Sequence, residues 1–324
     1  MHARAWLDPI FQNEYRVAPH PSCPACHAPL APANADRVAD DARAGIACAV
    51  CHVRARTVFA ADRAGRKKQD ANAAAFAHPT ETLPLLAASE FCAPCHQFHF
   101  PAGPDDAGGT AYDSTLWLQD TYNEWTRSLA AASGVQCQDC HMPMVQNASG
   151  RTHRSHRFAG MRSRDLVTRA LQVTSDVRID GEYIVLRLHL KGADIGHSLP
   201  TGDMFRQLVV RAWLDGHPDN EAEEVLRRWF APVRRVTAGG TVAYVHGERA
   251  DTRVPPPGDG RARTVELRLP APNLASDRSA QAPTTAISWR ITLWAREPRS
   301  VLLRDVPGEL ARTVVRKGRV PLSH

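Results

Sequence analysis

At 324 residues the chain has room for two domains of ordinary size or one large one. Hydrophobic residues make up 43% of it, and no stretch approaches 18 unbroken apolar residues, which excludes a membrane-spanning helix. The formal charge of +6 is a mild excess that invites a nucleic-acid reading without requiring one.

The N-terminal residues Met1-His2-Ala3-Arg4-Ala5-Trp6-Leu7-Asp8-Pro9 lack the charged-then-apolar pattern of an export leader. Four short units then recur at identical internal spacing: Cys23-Pro24-Ala25-Cys26-His27, Cys48-Ala49-Val50-Cys51-His52, Cys92-Ala93-Pro94-Cys95-His96 and Cys137-Gln138-Asp139-Cys140-His141. They hold all 8 cysteines of the chain. Around them lies a weak repeat. The first and third units are each followed by an intervening segment and then by Gly-(Ile/Val)-x leading into the next unit, at Gly45-Ile46-Ala47 and Gly134-Val135-Gln136. The segment after the third unit is expected to be helical over about Tyr112 to Ala132. The runs Arg63 to Lys68 and Pro101 to Asp106 read as loops.

Near residue 165 the pattern changes. Cysteine disappears and apolar residues alternate. Val177, Ile179, Asp180-Gly181, Tyr183, Val185, Leu186, Leu188 and Leu190 read as a hairpin around a tight turn. Leu208 to Leu214, Arg263 to Leu269 and Ile287 to Ala295 are further strand candidates, separated by loops around Pro255 to Gly258 and Pro270 to Pro283. Short strands at such spacing predict an antiparallel β-sandwich of about seven strands. The expected fold is therefore α+β: an irregular, partly helical domain over 1–165 and a β-sandwich over 166–324 that serves structure or docking.

The Cys-x-x-Cys-His unit is a c-type haem attachment site. Two thiols three residues apart reach the two vinyl groups of one porphyrin, and the adjacent His falls under the iron. At this chain's Cys and His frequencies one unit is expected roughly 0.01 times by chance. Zinc sites and iron–sulfur clusters use Cys pairs without a His after each, and a disulfide framework keeps no such spacing. The expectation is four covalent haems c, on Cys23/Cys26, Cys48/Cys51, Cys92/Cys95 and Cys137/Cys140, with His27, His52, His96 and His141 as proximal ligands. Two haem pairs in about 165 residues leave too little chain to isolate each haem, so the haems fill the core and pack together. Four ferric haems add roughly −4 and four ferrous ones roughly −8, so the basic balance reads as propionate compensation and not as a nucleic-acid footprint.

Bis-His ligation closes an iron for electron transfer, whereas an open position invites substrate. Eleven further histidines exceed the demand for four distal ligands. His156 is the leading candidate, with His153 as its rival, followed by His78. His99 is too close to turn back onto the iron of His96 but could reach a neighbouring haem. His197, in a turn between two strands, would tie the β half to the haem half. His20 is a reserve, and His189 reads as a sheet-face residue. Met144, Met161 and Met204 are the alternatives to His.

Gly134 to Pro143, followed by Ser155-His156-Arg157-Phe158, resembles the late haem site of the ammonia-forming nitrite reductases and the octahaem hydroxylamine oxidoreductase and tetrathionate reductase group. The count of four and Gly45 to His52 also resemble the tetrahaem cytochrome c that accepts electrons from hydroxylamine oxidoreductase. In those families a His downstream of the Cys-His-Met-Pro site ligates a haem, which by resemblance supports His156. The nitrite reductases carry a Cys-x-x-Cys-Lys site at the catalytic iron, and no such unit occurs here.

These readings converge on a periplasmic or extracytoplasmic electron-transfer protein. Its partners would be redox proteins, with no nucleic acid and no membrane span, and with a complex or oligomer formed through the β half. Haem attachment outside the cytoplasm implies that a leader has been removed or that translation starts further upstream. The alternatives are a multihaem oxidoreductase with one open iron acting on a small nitrogen or sulfur compound, and a haem-bearing subunit of a larger complex or filament.

Overall fold

The computed structural model describes residues 2–31, 45–61, 80–100, 112–150, 152–236, 240, 242–258, 261–271 and 286–322. It mixes helix with several antiparallel sheets, and the chain divides into two compact units. One contains Met1–Cys95, Val135–Ala159 and Ser300–Val306; the other contains His96–Gly134, Gly160–Arg299 and Pro307–His324. Among the described residues no helix is long and apolar enough to cross a membrane.

The first unit is built from short elements. Helix α1 (Pro9–Val17) starts at Asp8, whose side chain accepts from the amides of Ile10 and Phe11, and has Pro9 where a missing N–H costs nothing. It packs Phe11 and Tyr15 against Trp6 and Ala28. Helices α2 (Cys23–His27) and α3 (Cys48–His52) follow. Strand β1 (Val53–Arg54) turns through Ala55 and Arg56, both at positive φ, into β2 (Thr57–Ala60), and β3 (Thr80–Thr82) pairs parallel to β2. Helix α4 (Ala93–His96) closes the third motif. Strands β4 (Gln97–His99) and β5 (Trp117–Asp120) form an antiparallel pair in the second unit, continued by α5 (Thr121–Thr126) and α6 (Leu129–Ala132). The chain then returns to the first unit with α7 (Cys137–His141) and the hairpin β6 (Met144–Gln146) and β7 (Thr152–Arg154).

The expected helix over 112–132 is therefore only partly helical. Trp117–Asp120 is a strand instead, and Asp113 folds the chain into a turn by accepting from the amide and hydroxyl of Thr115. Asx-type turns of this kind compete with helix, and Ser128 starts a separate helix by accepting from the Ala131 amide.

In the second unit α8 (Arg164–Arg169) leads into β8 (Leu171–Asp180) and β9 (Tyr183–Gly192). These two strands form the expected hairpin, with Asp180 opposite Tyr183 and Gly181 at φ +59 in the two-residue loop. The remaining strands are β10 (Gln207–Leu214), β11 (His217–Leu226), β12 (Arg228–Val236), β13 (Val242–Asp251), β14 (Arg263–Pro270), β15 (Ala286–Trp294) and, after α9 (Gly308–Ala311), β16 (Arg312–Pro321). They form a four-stranded sheet β11-β10-β15-β16, a three-stranded sheet β14-β9-β8 and a two-stranded ribbon β12-β13. The expected strands at 208–214, 263–269 and 287–295 are all present, to within a residue or two.

Alternation decides which sides are buried. In β14 Val265, Leu267 and Leu269 are inside while Thr264, Glu266 and Arg268 face water. Leu186, Leu188 and Leu190 of β9 join them, as do Leu208, Val210 and Leu214 of β10 and Ile287 and Ile291 of β15. Each such Leu or Ile stabilises the unit by about 1.5–3 kcal/mol. The solvent side carries cross-strand charge pairs such as Arg187 with Glu266, 2.6 Å apart. His189 lies on that same side, between Asp176 and Thr264, as a sheet-face residue.

Candidate functional site

Three of the Cys-x-x-Cys-His units are wound into a single helical turn that ends on its His, and in the third Cys92 closes a short 3-10 helix before α4 carries the unit to His96. At 3.6 residues per turn the two cysteines lie on one side of the turn, with the His beside the second. The glycines of the weak repeat both adopt the left-handed conformation, Gly45 at φ +54 and Gly134 at φ +76. Gly45 is also the closer approach, because a Cβ there would lie 2.9 Å from the carbonyl oxygen of His2.

The histidines are held in a common way. His27 Nδ1 donates to the Ala5 carbonyl at 3.0 Å, and Phe11 stacks on the ring with centroids 3.7 Å apart. His52 Nδ1 donates to the Phe59 carbonyl at 2.7 Å, which the β1–β2 turn folds back into reach. His141 Nδ1 donates to the Ala159 carbonyl at 2.6 Å, while the Ala159 amide bonds back to the His141 carbonyl at 3.1 Å. Phe158, just before Ala159, is bent to φ +51, a conformation a large aromatic residue rarely adopts. Carbonyl oxygens only accept, so these three rings carry their proton on Nδ1 and their lone pair on Nε2. That is the tautomer and second contact found on metal-ligating imidazoles. His96 differs: its Nδ1 accepts from the side-chain amide nitrogen of Gln119 at 3.0 Å, the reverse of the other three, with Gln119 brought alongside by the β4–β5 pairing.

Within the first unit the thiols of different motifs meet. Cys26 bonds to Cys95, and Cys92 bonds to Cys137. The thiol bond from Cys26 lowers the pKa of Cys95 to about 7, and the bond from Cys92 does the same for Cys137. Cys51 is close enough to Cys95 and Cys92 to act on them electrostatically. The third motif thus faces the other three. Its registration with the fourth is set by buried Ser89, whose amide and hydroxyl both bond to Gln136 Oε1 at 2.8 Å, and whose Oγ accepts from the Cys137 amide at 2.9 Å.

Of the expected distal ligands, His156 lies with its ring centroid 6.0 Å from that of His52, and its Nδ1 donates to the Arg154 carbonyl at 3.0 Å. Arg154 also bonds to the Gln138 carbonyl and to Asp139, so one residue clamps the fourth motif and seats His156. His153 pairs across the β6–β7 hairpin with Val145. His99 stacks on Trp117 with centroids 3.6 Å apart. His197 Nδ1 donates to the Ser198 carbonyl in the loop between β9 and β10. That loop is anchored on α5, because Glu124 accepts from the Ser198 amide at 3.1 Å and the Thr201 hydroxyl at 2.7 Å and pairs with Arg253 at 2.6 Å. His20 bonds to its neighbour Ser22. Met161 and Met204 are buried and Met144 is exposed. His78, the Arg63–Lys68 and Pro101–Asp106 runs and most of Pro270–Pro283 lie outside the described residues.

Sequence reasoning missed the carbonyl partners, since Ala5, Phe59 and Ala159 have no side-chain signature. It also missed His2, whose ring packs edge-on against Phe158 with centroids 4.0 Å apart.

No family model matches the chain. Two cytochrome c-552 proteins of Haemophilus influenzae are similar to part of it. That of strain 86-028NP is 33% identical over 22% of this chain and 18% of its own length. That of strain ATCC 51907 / DSM 11121 / KW20 / Rd is 32% identical with the same shares. The chain thus spans less than a fifth of the length of the curated relatives it matches. A crystal structure of a penta-heme cytochrome c552 from Thermochromatium tepidum has the same fold, with a TM-score of 0.66, over 99% of this chain and 94% of that one, at 19% identity.

Proposed function

We propose that this chain is a multihaem c-type cytochrome that relays electrons through four covalently attached haems. A c-type haem supplies one-electron ferric/ferrous chemistry at low reorganisation. The chain's own residues attach it, orient its proximal ligand and exclude exogenous ligands from its iron. The observation that carries the reading is the shared design of the four motifs. Each ends a helical turn on a His whose Nδ1 is engaged by a second group, and thiols of different motifs meet. The similar penta-heme protein carries five haems by its name, whereas this sequence holds four attachment units. We assign four.

His156 is the distal partner of His52. The two ring centroids lie 6.0 Å apart, and both imidazoles would hold the iron of the haem attached through Cys48 and Cys51. His99 and His197 are the ligand candidates of the second unit. An iron closed on both sides exchanges electrons without admitting substrate, so a carrier is favoured over an oxidoreductase. The work is done in the periplasm or another extracytoplasmic space between redox partner proteins. The strands beyond residue 166 act as a β-sandwich module for docking or assembly.

The test is haem content by pyridine haemochrome and intact mass, with electron paramagnetic resonance on the same oxidised sample. Four haems per chain, all low-spin, are expected. A high-spin ferric signal near one equivalent that shifts with nitrite, hydroxylamine or cyanide would replace the carrier by an enzyme.

A further inference from the structure

The fourth motif has its proximal ligand, His141, fixed by two bonds to Ala159, and of the two His residues that follow it one lies beside His52 and the other in a hairpin strand. His156 is the former, and His153, opposite Val145 in the β6–β7 hairpin, is the latter. Among the described histidines of the first unit, His2 and His20 remain besides the three motif ligands His27, His52 and His141. His20 sits on the exposed lead-in to the first motif and bonds to Ser22 at 2.7 Å.

His2 is built in. Its carbonyl accepts from the Ala5 amide at 2.9 Å and from the Ile46 amide at 3.0 Å, so the main chain is fixed both by its own turn and by the lead-in to the second motif. Gly45 lets that approach happen, since any side chain there would strike the His2 carbonyl. The imidazole packs edge-on against Phe158, the residue bent to φ +51 immediately before the carbonyl that holds His141. The His2 Nδ1 atom is shielded from solvent. The His141 ring acts on His2 electrostatically, so the two imidazoles lie near one another.

The geometry points to His2 as the distal ligand of the iron attached through Cys137 and Cys140, opposite His141. This rests on the haem reading above. It assigns a ligand far from the motif in sequence and gives the Phe158 bend a purpose: it presents the His141 acceptor on one side and a ring that orients His2 on the other.

The experiment compares wild-type, His2→Ala and His2→Met holoproteins produced with covalent haem attachment. Haem content is measured first. A wild type without covalent haem overturns the underlying cytochrome reading, and this assignment with it. With wild-type haem content, His2→Ala is expected to convert one haem equivalent from low-spin to high-spin ferric, and added imidazole is expected to restore it. A His2→Ala protein with full haem content and no high-spin signal overturns the assignment. If His2→Ala does not retain its haems, His2→Met decides. A thioether in place of imidazole is expected to keep the iron low-spin and raise the reduction potential of one haem. An unshifted set of potentials in His2→Met overturns the assignment.

Discussion

The imidazoles of His52 and His156 lie with ring centroids 6.0 Å apart and planes 44° from one another, and each gives its Nδ1 proton to a main-chain carbonyl. Both rings are thereby left with their basic nitrogen on Nε2. Replacing His156 by Ala should open one iron while leaving the number of haems unchanged. One haem equivalent should become high-spin in the oxidised protein and bind added imidazole or cyanide. Retention of a wholly low-spin spectrum would remove His156 from the ligand set.

Gln119 offers a handle that the other motifs lack. A carbonyl acceptor cannot be mutated, but the amide beside His96 can. Gln119→Glu replaces the amide nitrogen that donates to His96 Nδ1 by an anionic acceptor, which holds the ring proton on Nδ1, makes the ring more electron-donating and should lower the potential of one haem; Gln119→Leu removes only the neutral donor and should move it less. A spectroelectrochemical titration resolving the individual haems would show one component shifted down in Gln119→Glu and displaced less in Gln119→Leu.

In the second unit Glu124 and Arg253 are each about nine-tenths buried and paired at 2.6 Å. Removing one partner of a buried pair leaves the other uncompensated. Arg253 also holds Asp251 at 2.7 Å, which retains part of its compensation. Glu124→Gln should therefore destabilise by about 3 kcal/mol, the low end for such a loss. A reduced midpoint in thermal or denaturant unfolding, with loosened exchange protection around residues 195–203, would be the sign.

Acid should weaken the same unit. Burial alone would raise the carboxyl pKa of Asp251, but the Arg253 fork lowers it below the ordinary value; at Asp215 burial is likewise outweighed by Ser288 and Arg319. A carboxylate whose folded pKa is depressed contributes stability that is full above its unfolded pKa and lost as pH falls through the folded one. The unfolding midpoint should hold near neutrality and fall below pH about 4, where free Asp titrates. A midpoint unchanged down to pH 2 would contradict this.

Gly45 and Gly134 provide a matched pair. An Ala at either pays the left-handed backbone penalty of about 1–2 kcal/mol. Only at Gly45 does the new Cβ also meet backbone, at 2.9 Å from the His2 carbonyl, while Gly134 has nothing within 4 Å. Gly45→Ala should be the more destabilising of the two and the one that disturbs the haem spectrum.

How much of this was legible depended on which groups do the work. The motifs declared themselves because both their chemistry and their spacing reside in side chains. The β8–β9 hairpin and the strands at β10, β14 and β15 were readable because one buried side imposes strict alternation, as Val265, Leu267 and Leu269 show. Strand β11 was not, because His217–Leu226 is an edge strand of largely polar and acidic sequence, the usual protection of an unpaired edge. The helix expected over 112–132 was misjudged where Asp113 captures the Thr115 amide and hydroxyl. Above all, the groups that orient His27, His52 and His141 are carbonyls, which any residue supplies, and His2 lies 139 positions before His141 (141 − 2) with no local pattern to announce it.

The stretch from Thr152 to Ala159 serves two motifs at once: Arg154 clamps the fourth, His156 lies beside the His of the second, and Ala159 steadies His141. A chain made and delivered from its N-terminus exposes Cys48 to His52 long before any of those residues exist. On the proposed ligation, the second motif gains the partner of His52 only when the segment after the last motif is in place, and the early site becomes complete late.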